Sequence, residues 1–435
     1  MTYHASVSYT GTMPKPHIAA IGKVVRHVTR LRGGGSAFPG LVIEKIDPDF
    51  TRDTLASLPY GVVIISGTNG KTTTTKMTVE LLESQGLKVF TNRTGSNFAR
   101  GVTAALLADI DYRGNLDADV AVLELDEAHA VKFVDSIPPK YSLLLNVMRD
   151  QLDRFGEIDT TAGMLAHIAA ATTGTVVLNR EDPRIAPIAD NLPEGTKSEF
   201  FGLSETLRSK FPSDDDLHRT VNSANARDAD IILQRIDTNT AVFHMDNREE
   251  TVQLKLKGVY NIYNAAAALA LTRTIAAERY NKKALLSALG EVRPAFGRGE
   301  TLTLDGQPVE LVLVKNPSGF RLALESFSPD GYATMIAIND NYADGRDMSW
   351  LWDVDFDSLR SLGVTQVGGV RAYDMALRLQ YDEVEVVDVT TDVNKALVNL
   401  RNKYPTQPKR IFCTYTAMLK LRASLGKITE VERIL

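Results

Sequence analysis

The chain has 435 residues, 44% of them hydrophobic and 24% charged, with a formal net charge of −5 at pH 7. This length exceeds what one hydrophobic core usually holds, so the sequence predicts two domains of ordinary globular composition. The negative charge argues against non-specific nucleic-acid binding, and neither a membrane-spanning apolar run nor a signal-peptide core is visible, which predicts a cytosolic protein. The single cysteine, Cys413, excludes an internal disulfide and a cysteine-rich zinc site, and its neighbours Ile411 and Phe412 predict a buried strand residue rather than a nucleophile.

The first 45 residues are predicted to form a loose lead-in and one basic helix over about 21–31. We interpret the cations of this helix as a solvated face rather than a binding patch. No amphipathic membrane anchor is evident. The basic residues concerned are Lys23, Arg26, Arg30 and Arg32.

From residue 60 onward, short apolar runs alternate with helical stretches, which is the pattern of a parallel α/β sheet. The predicted strands of this sheet are 62–65, 87–90, 119–125, 141–145 and 175–178. Residues 202–240 are polar and irregular, which predicts an insertion or a long loop. A helix is predicted over about 260–280.

The turn-rich segment 293–299 is interpreted as a hinge, after which a second α/β pattern begins. The predicted strands of this second sheet are 310–314, 333–338, 365–370, 384–389 and 410–413. The sequence therefore predicts an N-terminal segment 1–45, a first α/β domain 46–298 and a smaller α/β domain 299–435.

The most informative stretch is Gly-Thr-Asn-Gly-Lys-Thr-Thr-Thr-Thr at 67–75, because it follows an apolar strand and opens a helical segment. The glycines let the backbone approach phosphate oxygens, Lys71 offers a cation to the β/γ-phosphates, and the Thr72 hydroxyl suits Mg²⁺. Ile65 stands where the longer common pattern has a glycine, and a Gly/Thr-rich turn without a ligand is the alternative. The predicted nucleotide-binding residues of this loop are Gly67, Thr68, Asn69, Gly70, Lys71, Thr72 and Thr73.

Polar residues follow several predicted strands, at the edge where ligands of parallel sheets collect. Glu124 ends the strand 119–125 and is our candidate for the Mg²⁺ carboxylate, whereas Asp126 and Glu127 are interpreted as a solvated acidic turn. Asn146 and Asn179 end the next two strands, and each alone is a weak signal because asparagine often forms turns.

Asn261 and Asn264 lie three residues apart at the start of the helix 260–280 and therefore share one face. An amide offers the donor and acceptor that an adenine edge needs, although helix capping would also explain Asn261. Arg298 falls at the predicted hinge, where a guanidinium could clamp a phosphate or a ribose.

Taken together, these residues resemble the Mur ligase superfamily, in which ATP activates a carboxylate that an amine then attacks. The resemblance spans residues 60 to about 300 and implies a central-type P-loop ATPase domain followed by a smaller C-terminal-type α/β domain. Its elements occur in the order of the superfamily: the short loop at 67–74, Glu124, the Asn- and Asp-rich segment 146–154, the helix start 258–264 and Gly297-Arg298.

Nearly the whole chain after residue 60 resembles more closely the MurT family, the synthetase subunits that amidate D-glutamate in lipid II. Ligases that add an amino acid would carry a histidine at Gln151 and an acidic residue near Val312, and both are missing. Members often carry a four-cysteine zinc ribbon, but 202–240 has no cysteine, so no zinc is expected. The matching segments are 91–97, 123–128, 149–157, 313–320, 339–350, 371–379 and 415–419.

The resemblance implies an amidation at the inner face of the membrane that uses Mg²⁺-ATP, lipid II as the substrate and ammonia from a separate glutaminase subunit of the GatD type. Lys71, Glu124 and Thr72 would serve phosphoryl transfer, the last two as metal ligands. An aspartate between 340 and 347 would complete the catalytic centre of the partner, with Asp347 preferred to Asp344 and Asp340.

Two other functions stay open. A ligase that adds an amino acid would need a carboxylate pocket, which Lys315 with Arg346 or Arg371 could imitate. A non-catalytic subunit would bind ATP only to regulate a partner, and would release no ADP in response to a carboxylate.

Overall fold

A computed structural model describes residues 15–31, 38–92, 98–148, 158–208, 211, 227–237, 240–256, 258–293 and 298–429. The described helices and strands form two α/β units, each built on its own sheet. The helices are α1 Pro16–Leu31, α2 Phe38–Ile46, α3 Phe50–Leu55, α4 Lys71–Ser84, α5 Ala99–Asp109, α6 Glu127–Ser136, α7 Ile158–Ala170, α8 Glu205–Arg208, α9 Val259–Ala276, α10 Lys282–Glu291, α11 Pro317–Ser326, α12 Ala372–Tyr381, α13 Val393–Lys403 and α14 Tyr415–Leu425.

The first sheet has nine strands in the order β2-β3-β1-β4-β5-β6-β7-β8-β9. Its pairs are parallel from β2 to β7, and β7, β8 and β9 are antiparallel. The strands are β1 Val62–Ser66, β2 Val89–Thr91, β3 Val120–Glu124, β4 Tyr141–Leu144, β5 Thr175–Asn179, β6 Lys197–Leu203, β7 Ile231–Asp237, β8 Thr240–Met245 and β9 Arg248–Gln253.

The central strand β1 shows why this sheet is parallel and buried. All five of its residues are buried, with Val63 and Ile65 in one core and Val62 and Ile64 in the other. A strand covered on both faces reads as a continuous apolar run, which is the form typical of parallel sheets. Alanine-rich α9 contributes buried Ala265–Ala268 to the first of these cores and packs on α4.

The second sheet has six strands in the order β10-β11-β15-β12-β13-β14. A hairpin of β10 and β11 starts it, and the remaining pairs are parallel. Hydrophobic cores cover both faces of this sheet. Cys413 is the last residue of β15 and is fully buried, as predicted. The strands are β10 Arg298–Leu304, β11 Gln307–Leu313, β12 Ala333–Ala337, β13 Gln366–Gly368, β14 Val389–Thr390 and β15 Lys409–Cys413.

The predicted fold class is confirmed, and three local predictions are wrong. Residues 202–240 are not irregular throughout, since β6 extends to Leu203, α8 follows, and β7 occupies Ile231–Asp237. The predicted strand 384–389 shrinks to the two residues of β14 beside an isolated bridge at Val386. At the N-terminus, α1 begins at Pro16, and α2 crosses the predicted boundary at residue 45. Both helices pack on α5, so they extend the first α/β unit.

Candidate active site

The loop between β1 and α4 lies at the carboxyl edge of the first sheet, between the ends of β3 and β4. Gly67 and Gly70 have positive φ angles of 135° and 91°. A Cβ atom on Gly70 would lie 2.7 Å from Oδ1 of Asn264, so glycine is required there by both conformation and space. The loop delivers the chain to the N-terminus of α4, where first-turn N–H groups are free of intrahelical partners by geometry. This is the backbone arrangement that binds phosphate groups.

Lys71 is buried and held beside the loop by three oxygen atoms. Its Nζ donates to the carbonyl oxygen of Gly67 at 2.6 Å, and lies 3.4 Å from both Asp126 Oδ1 and Glu127 Oε1. The interpretation of these two carboxylates as a solvated turn is therefore wrong, since Glu127 is only 3% exposed. Both acids balance the charge of the Lys71 ammonium group and fix its position.

Thr72 and Glu124 bring two hard oxygen donors together at the start of α4. The Thr72 hydroxyl donates to Glu124 Oε1 at 2.8 Å. Asn92 fixes the end of β3 with a pair of hydrogen bonds, donating to Glu124 O at 2.8 Å and accepting from Glu124 N at 3.0 Å. A hydroxyl and a carboxylate are ligands that suit Mg²⁺, which usually takes few protein ligands and completes its shell with phosphate and water.

One further polar atom of the first turn fits a ligand. The Thr73 hydroxyl is buried and has no hydrogen-bond partner among the residues that the structure describes. Buried hydroxyls are nearly always paired, so this group suits an acceptor that the protein does not itself supply. The donors present here thus match the needs of a nucleotide phosphate with its metal ion.

Asn146, at the end of β4, holds the loop from the other side. Its Oδ1 accepts from Asn69 N at 2.8 Å and its Nδ2 donates to Asn69 O at 3.0 Å, so one amide pairs with both backbone groups of one loop residue. The role of this asparagine is therefore to shape the loop.

A second layer of polar groups supports the segment that follows β4. Asn179 donates to Leu145 O at 2.7 Å and accepts from the Tyr263 hydroxyl. Asp182 accepts from Val147 N at 2.7 Å. Burial raises the pKa of Asp182 to about 6, against the hydrogen bonds from backbone N–H groups that lower it. The polar residues after three successive strands thus brace one another and the loop.

The second domain contacts the loop directly. Lys315 Nζ donates to Thr68 O at 3.0 Å, and the amides of Asn316 and Asn69 exchange hydrogen bonds at 3.1 and 3.4 Å. Asn316 is fully buried and also caps α11, accepting from Gly319 N at 2.7 Å. Asn316 was not predicted as a site residue, although an asparagine followed by proline is the sequence signal of a helix N-cap with proline at the first helical position.

A cavity between the two domains adjoins the loop. Its wall on the first domain includes Asn69, Asn261 and Asn264, and its wall on the second includes Lys315 and Phe327. Asn261 and Asn264 both line this cavity, and the cap of α9 is Gly258 rather than Asn261. Arg298 is the first residue of β10, and its side chain lies outside the described residues, as does the hinge segment 294–297.

The three candidate aspartates of the second domain differ in their surroundings. Asp344 is 2% exposed and accepts from both Thr416 N and the Thr416 hydroxyl, and burial raises its pKa. Asp347 is half-buried and accepts from Ser349 N at 2.9 Å, while Asp340 lies 3.7 Å from Arg371. Asp344 therefore holds this loop to α14, and Asp347 and Asp340 lie nearer the surface.

Two family models match the chain: the Mur ligase middle domain over residues 65–272, and the MurT ligase C-terminal domain over 313–418. The MurT subunit of lipid II isoglutaminyl synthase (glutamine-hydrolyzing) from Streptococcus pneumoniae is 33% identical over 95% of this chain and 97% of its own. The chain belongs to the MurT family. The MurT subunit from Staphylococcus aureus strain COL is 28% identical over 86% of this chain and 90% of its own.

The MurT-family chain also shares its fold with solved Mur ligases. The MurF ligase from Thermotoga maritima, solved in complex with ADP, aligns with a TM-score of 0.65 over 87% of this chain and 81% of that one, at 18% identity. The chain is accordingly a Mur-type ATP-dependent ligase. Among the described residues, no helix is long and apolar enough to cross a bilayer.

Proposed function

We propose that this chain is the synthetase subunit that amidates the α-carboxylate of D-glutamate in the lipid II stem peptide, giving D-isoglutamine. The observation that carries the proposal is the loop with Lys71, Thr72 and Glu124 in one place, in a chain 33% identical to a lipid II isoglutaminyl synthase subunit. ATP would phosphorylate the carboxylate to an acyl phosphate, and ammonia would then displace phosphate. The work would take place in the cytoplasm at the inner face of the membrane.

Phosphoryl transfer to a carboxylate depends mainly on positioning and on neutralisation of charge. Lys71 is fixed beside the loop and would face the transferred phosphate, while Thr72 and Glu124 would hold Mg²⁺. When bound, the metal ion would neutralise charge on the phosphate oxygens. Asn261 and Asn264 border the cavity and would bind the nucleotide. Arg298 stays a candidate for the same role from its place in the sequence alone.

Ammonia would come from a separate glutaminase subunit of the GatD type. The only cysteine of the sequence, Cys413, is fully buried, and burial raises the pKa of its thiol far above the usual range, which makes it a poor nucleophile. Asp347 is our choice for the residue that completes the catalytic centre of the partner. It is half-buried near the surface, whereas Asp344 is committed to Thr416.

The candidate pocket for an incoming amino acid receives less support. Lys315 Nζ already donates to Thr68 O, and Arg371 lies 3.0 Å from Asp374, so both of these cations have protein partners. We therefore rank amino-acid addition below amidation. A purely regulatory subunit would use Thr72 and Glu124 in the same way to hold Mg²⁺-ATP, so release of ADP in response to the carboxylate is what distinguishes it from a synthetase.

The test is ADP release by the purified chain with Mg²⁺-ATP, an ammonium salt and lipid II carrying D-glutamate, with the stem peptide analysed by mass spectrometry. Ammonium replaces the glutaminase subunit. We expect conversion of carboxyl to amide, reduced about 100-fold or more by Lys71→Ala or Glu124→Gln, since each removes a group that neutralises or positions charge in the transition state. Lys76→Ala is the matched control, because Lys76 lies on the same helix with a half-exposed ion pair to Glu80.

Two results would overturn the proposal. Extension of the stem peptide by a free amino acid, without conversion by ammonium, would identify an adding ligase. ATP binding without ADP release in response to the carboxylate would identify a regulatory subunit.

A further inference from the structure

Helix α1 exposes an apolar stripe on the side turned away from the first sheet. Four residues at i, i+3, i+7 and i+10 form it, and on a helix this spacing defines one face. The opposite face is used by the fold, since Ile18 and Ala19 are buried against α2 and α5. The helix therefore has two apolar faces, of which the fold covers one. The stripe consists of Ile21, Val24, Val28 and Leu31, with exposed fractions of 40%, 63%, 42% and 75%.

One glycine on each of α1 and α2 packs closely against α5. A Cβ on Gly22 would lie 2.3 Å from Cδ2 of Leu107, and a Cβ on Gly40 would lie 2.1 Å from the carbonyl oxygen of Arg100. Helices α1 and α2 thus sit directly on α5, at its C-terminal and N-terminal parts respectively. This close seating leaves α1 little freedom to rotate and bury its outer face.

The charged residues of α1 itself have one sign. From Pro16 to Leu31 the sequence has three basic residues, Lys23, Arg26 and Arg30, and no acidic residue, in a chain of net charge −5. Lys23 Nζ lies 5.2 Å from the ring centroid of Tyr112, which is 79% exposed. An apolar stripe, cations on the same helix and an exposed aromatic ring together are the composition of a helix that lies in the interface of a bilayer.

We propose that the outer face of α1 docks on an anionic membrane surface, with the stripe among the acyl chains and the basic flank at the headgroups. A second copy of the chain is the less suitable occupant, because stacking two such faces would bring their cations together. The proposal goes beyond the catalysed reaction and replaces our interpretation of these cations as a merely solvated face. Docking would hold the chain at the surface where a lipid-linked substrate is found.

The test measures sedimentation of the purified full chain with vesicles of phosphatidylcholine, with and without phosphatidylglycerol, in the absence of ATP and substrate. We expect binding to the anionic vesicles that weakens as salt is raised. The double variant Val24→Glu/Val28→Glu should lose about tenfold or more of the vesicle partition coefficient, because the stripe no longer inserts. Lys23→Gln should lose about fivefold, the contribution of one cation near an anionic surface.

The double variant Val387→Glu/Val398→Glu is the matched control, since these two residues of the second domain are 53% and 52% exposed and add the same two negative charges elsewhere. It should bind vesicles as the unmodified chain does. Circular dichroism and thermal unfolding check that the stripe variant is folded, which its exposed positions lead us to expect.

Three results would overturn the docking proposal: no binding to anionic vesicles, equal binding by the stripe variant, or self-association without vesicles that the stripe variant abolishes. The last would identify a second copy as the occupant. Vesicle binding is measured without substrate, so a chain that amidates lipid II but does not bind vesicles would refute only the docking proposal. A chain that binds vesicles but does not amidate refutes the proposed function alone.

Discussion

Asn316 performs two tasks that substitution can separate. Its Oδ1 accepts from Gly319 N and caps α11, while its amide exchanges hydrogen bonds with Asn69 in the phosphate loop. Aspartate caps a helix as well as asparagine does, but it cannot donate to Asn69 Oδ1. Alanine loses both tasks. The pair of variants Asn316→Asp and Asn316→Ala therefore distinguishes the cap from the contact between domains.

The structure sets the size of each effect. Asn316→Asp keeps the cap and should lower the free energy of unfolding only by the lost contact with Asn69, about 0.5–1.5 kcal/mol, whereas Asn316→Ala should lower it by about 0.5–2 kcal/mol more because the cap is lost as well. The donation to Asn69 Oδ1 at 3.1 Å corresponds to about 0.5–1.5 kcal/mol, or about 2- to 13-fold in the affinity for ATP. The new carboxylate also repels phosphate, so the weakening for Asn316→Asp should lie at or above the upper end of this range.

Isothermal titration with Mg²⁺-ATP measures the affinity, and urea unfolding measures the stability. If Asn316→Asp binds ATP as tightly as the unmodified chain, the contact between the domains does not contribute to the nucleotide site. If Asn316→Asp is destabilised as much as Asn316→Ala, the cap is not what Asn316 contributes to α11.

Gly70→Ala should abolish measurable ATP binding, because the new Cβ would collide with Asn264. Gly86→Ala is the control: Gly86 also has a positive φ, but no atom lies within 4 Å of the position that its Cβ would take, so the variant should lose about 1–2 kcal/mol of stability and bind ATP as before. Equal ATP affinity in both variants would contradict the importance of this close approach. Asp347→Asn should abolish glutamine-dependent amidation in the presence of the glutaminase while sparing the ammonium-dependent reaction. Asp344→Asn should instead lower the melting temperature, and loss of both reactions in a folded Asp347→Asn variant would count against our assignment. Burial raises the pKa of Asp182 from 3.8 to about 6, so the folded state binds its proton more tightly, and this carboxyl should make the protein less stable as pH rises from about 4 to about 6. Urea unfolding should be measured from about pH 4 to about pH 6 on the unmodified chain and on Asp182→Asn. The free energy of unfolding of the unmodified chain should fall relative to that of the variant as pH rises, and a constant or rising difference would refute the prediction.

The strands of the first sheet could be predicted where both of their faces are buried, because burial then requires apolar residues throughout the strand. Strands such as β1 are covered on both faces and therefore appear in the sequence as uninterrupted apolar runs. Strand β9, Arg248–Gln253, lies at the sheet edge with four of its six residues exposed, and it therefore reads as a polar segment. β7 was missed for a related reason, since its pattern changes from buried to exposed along its length.

The phosphate loop was predictable because its chemistry is local. Lys71 and Thr72 follow two glycines in an order that few other structures need. The role of Glu127 and the contact of Asn316 with the first domain were not predictable, since they depend on Lys71 and Asn69, which lie far away in the chain. Such partners become visible only when the fold has brought distant segments together.

The contact between Asn69 and Asn316 also bears on how the protein is made. A separation of 247 residues lies between these partners, so the ribosome releases the loop long before the residue that closes it. Domains generally fold from the N-terminus as the chain is synthesised, and the first sheet can assemble on that schedule. The nucleotide cavity cannot form at that stage, because one of its walls belongs to α11 of the second domain. A nascent chain should thus pass through a folded stage that cannot yet close around ATP, and the enzyme would be competent only near the end of translation.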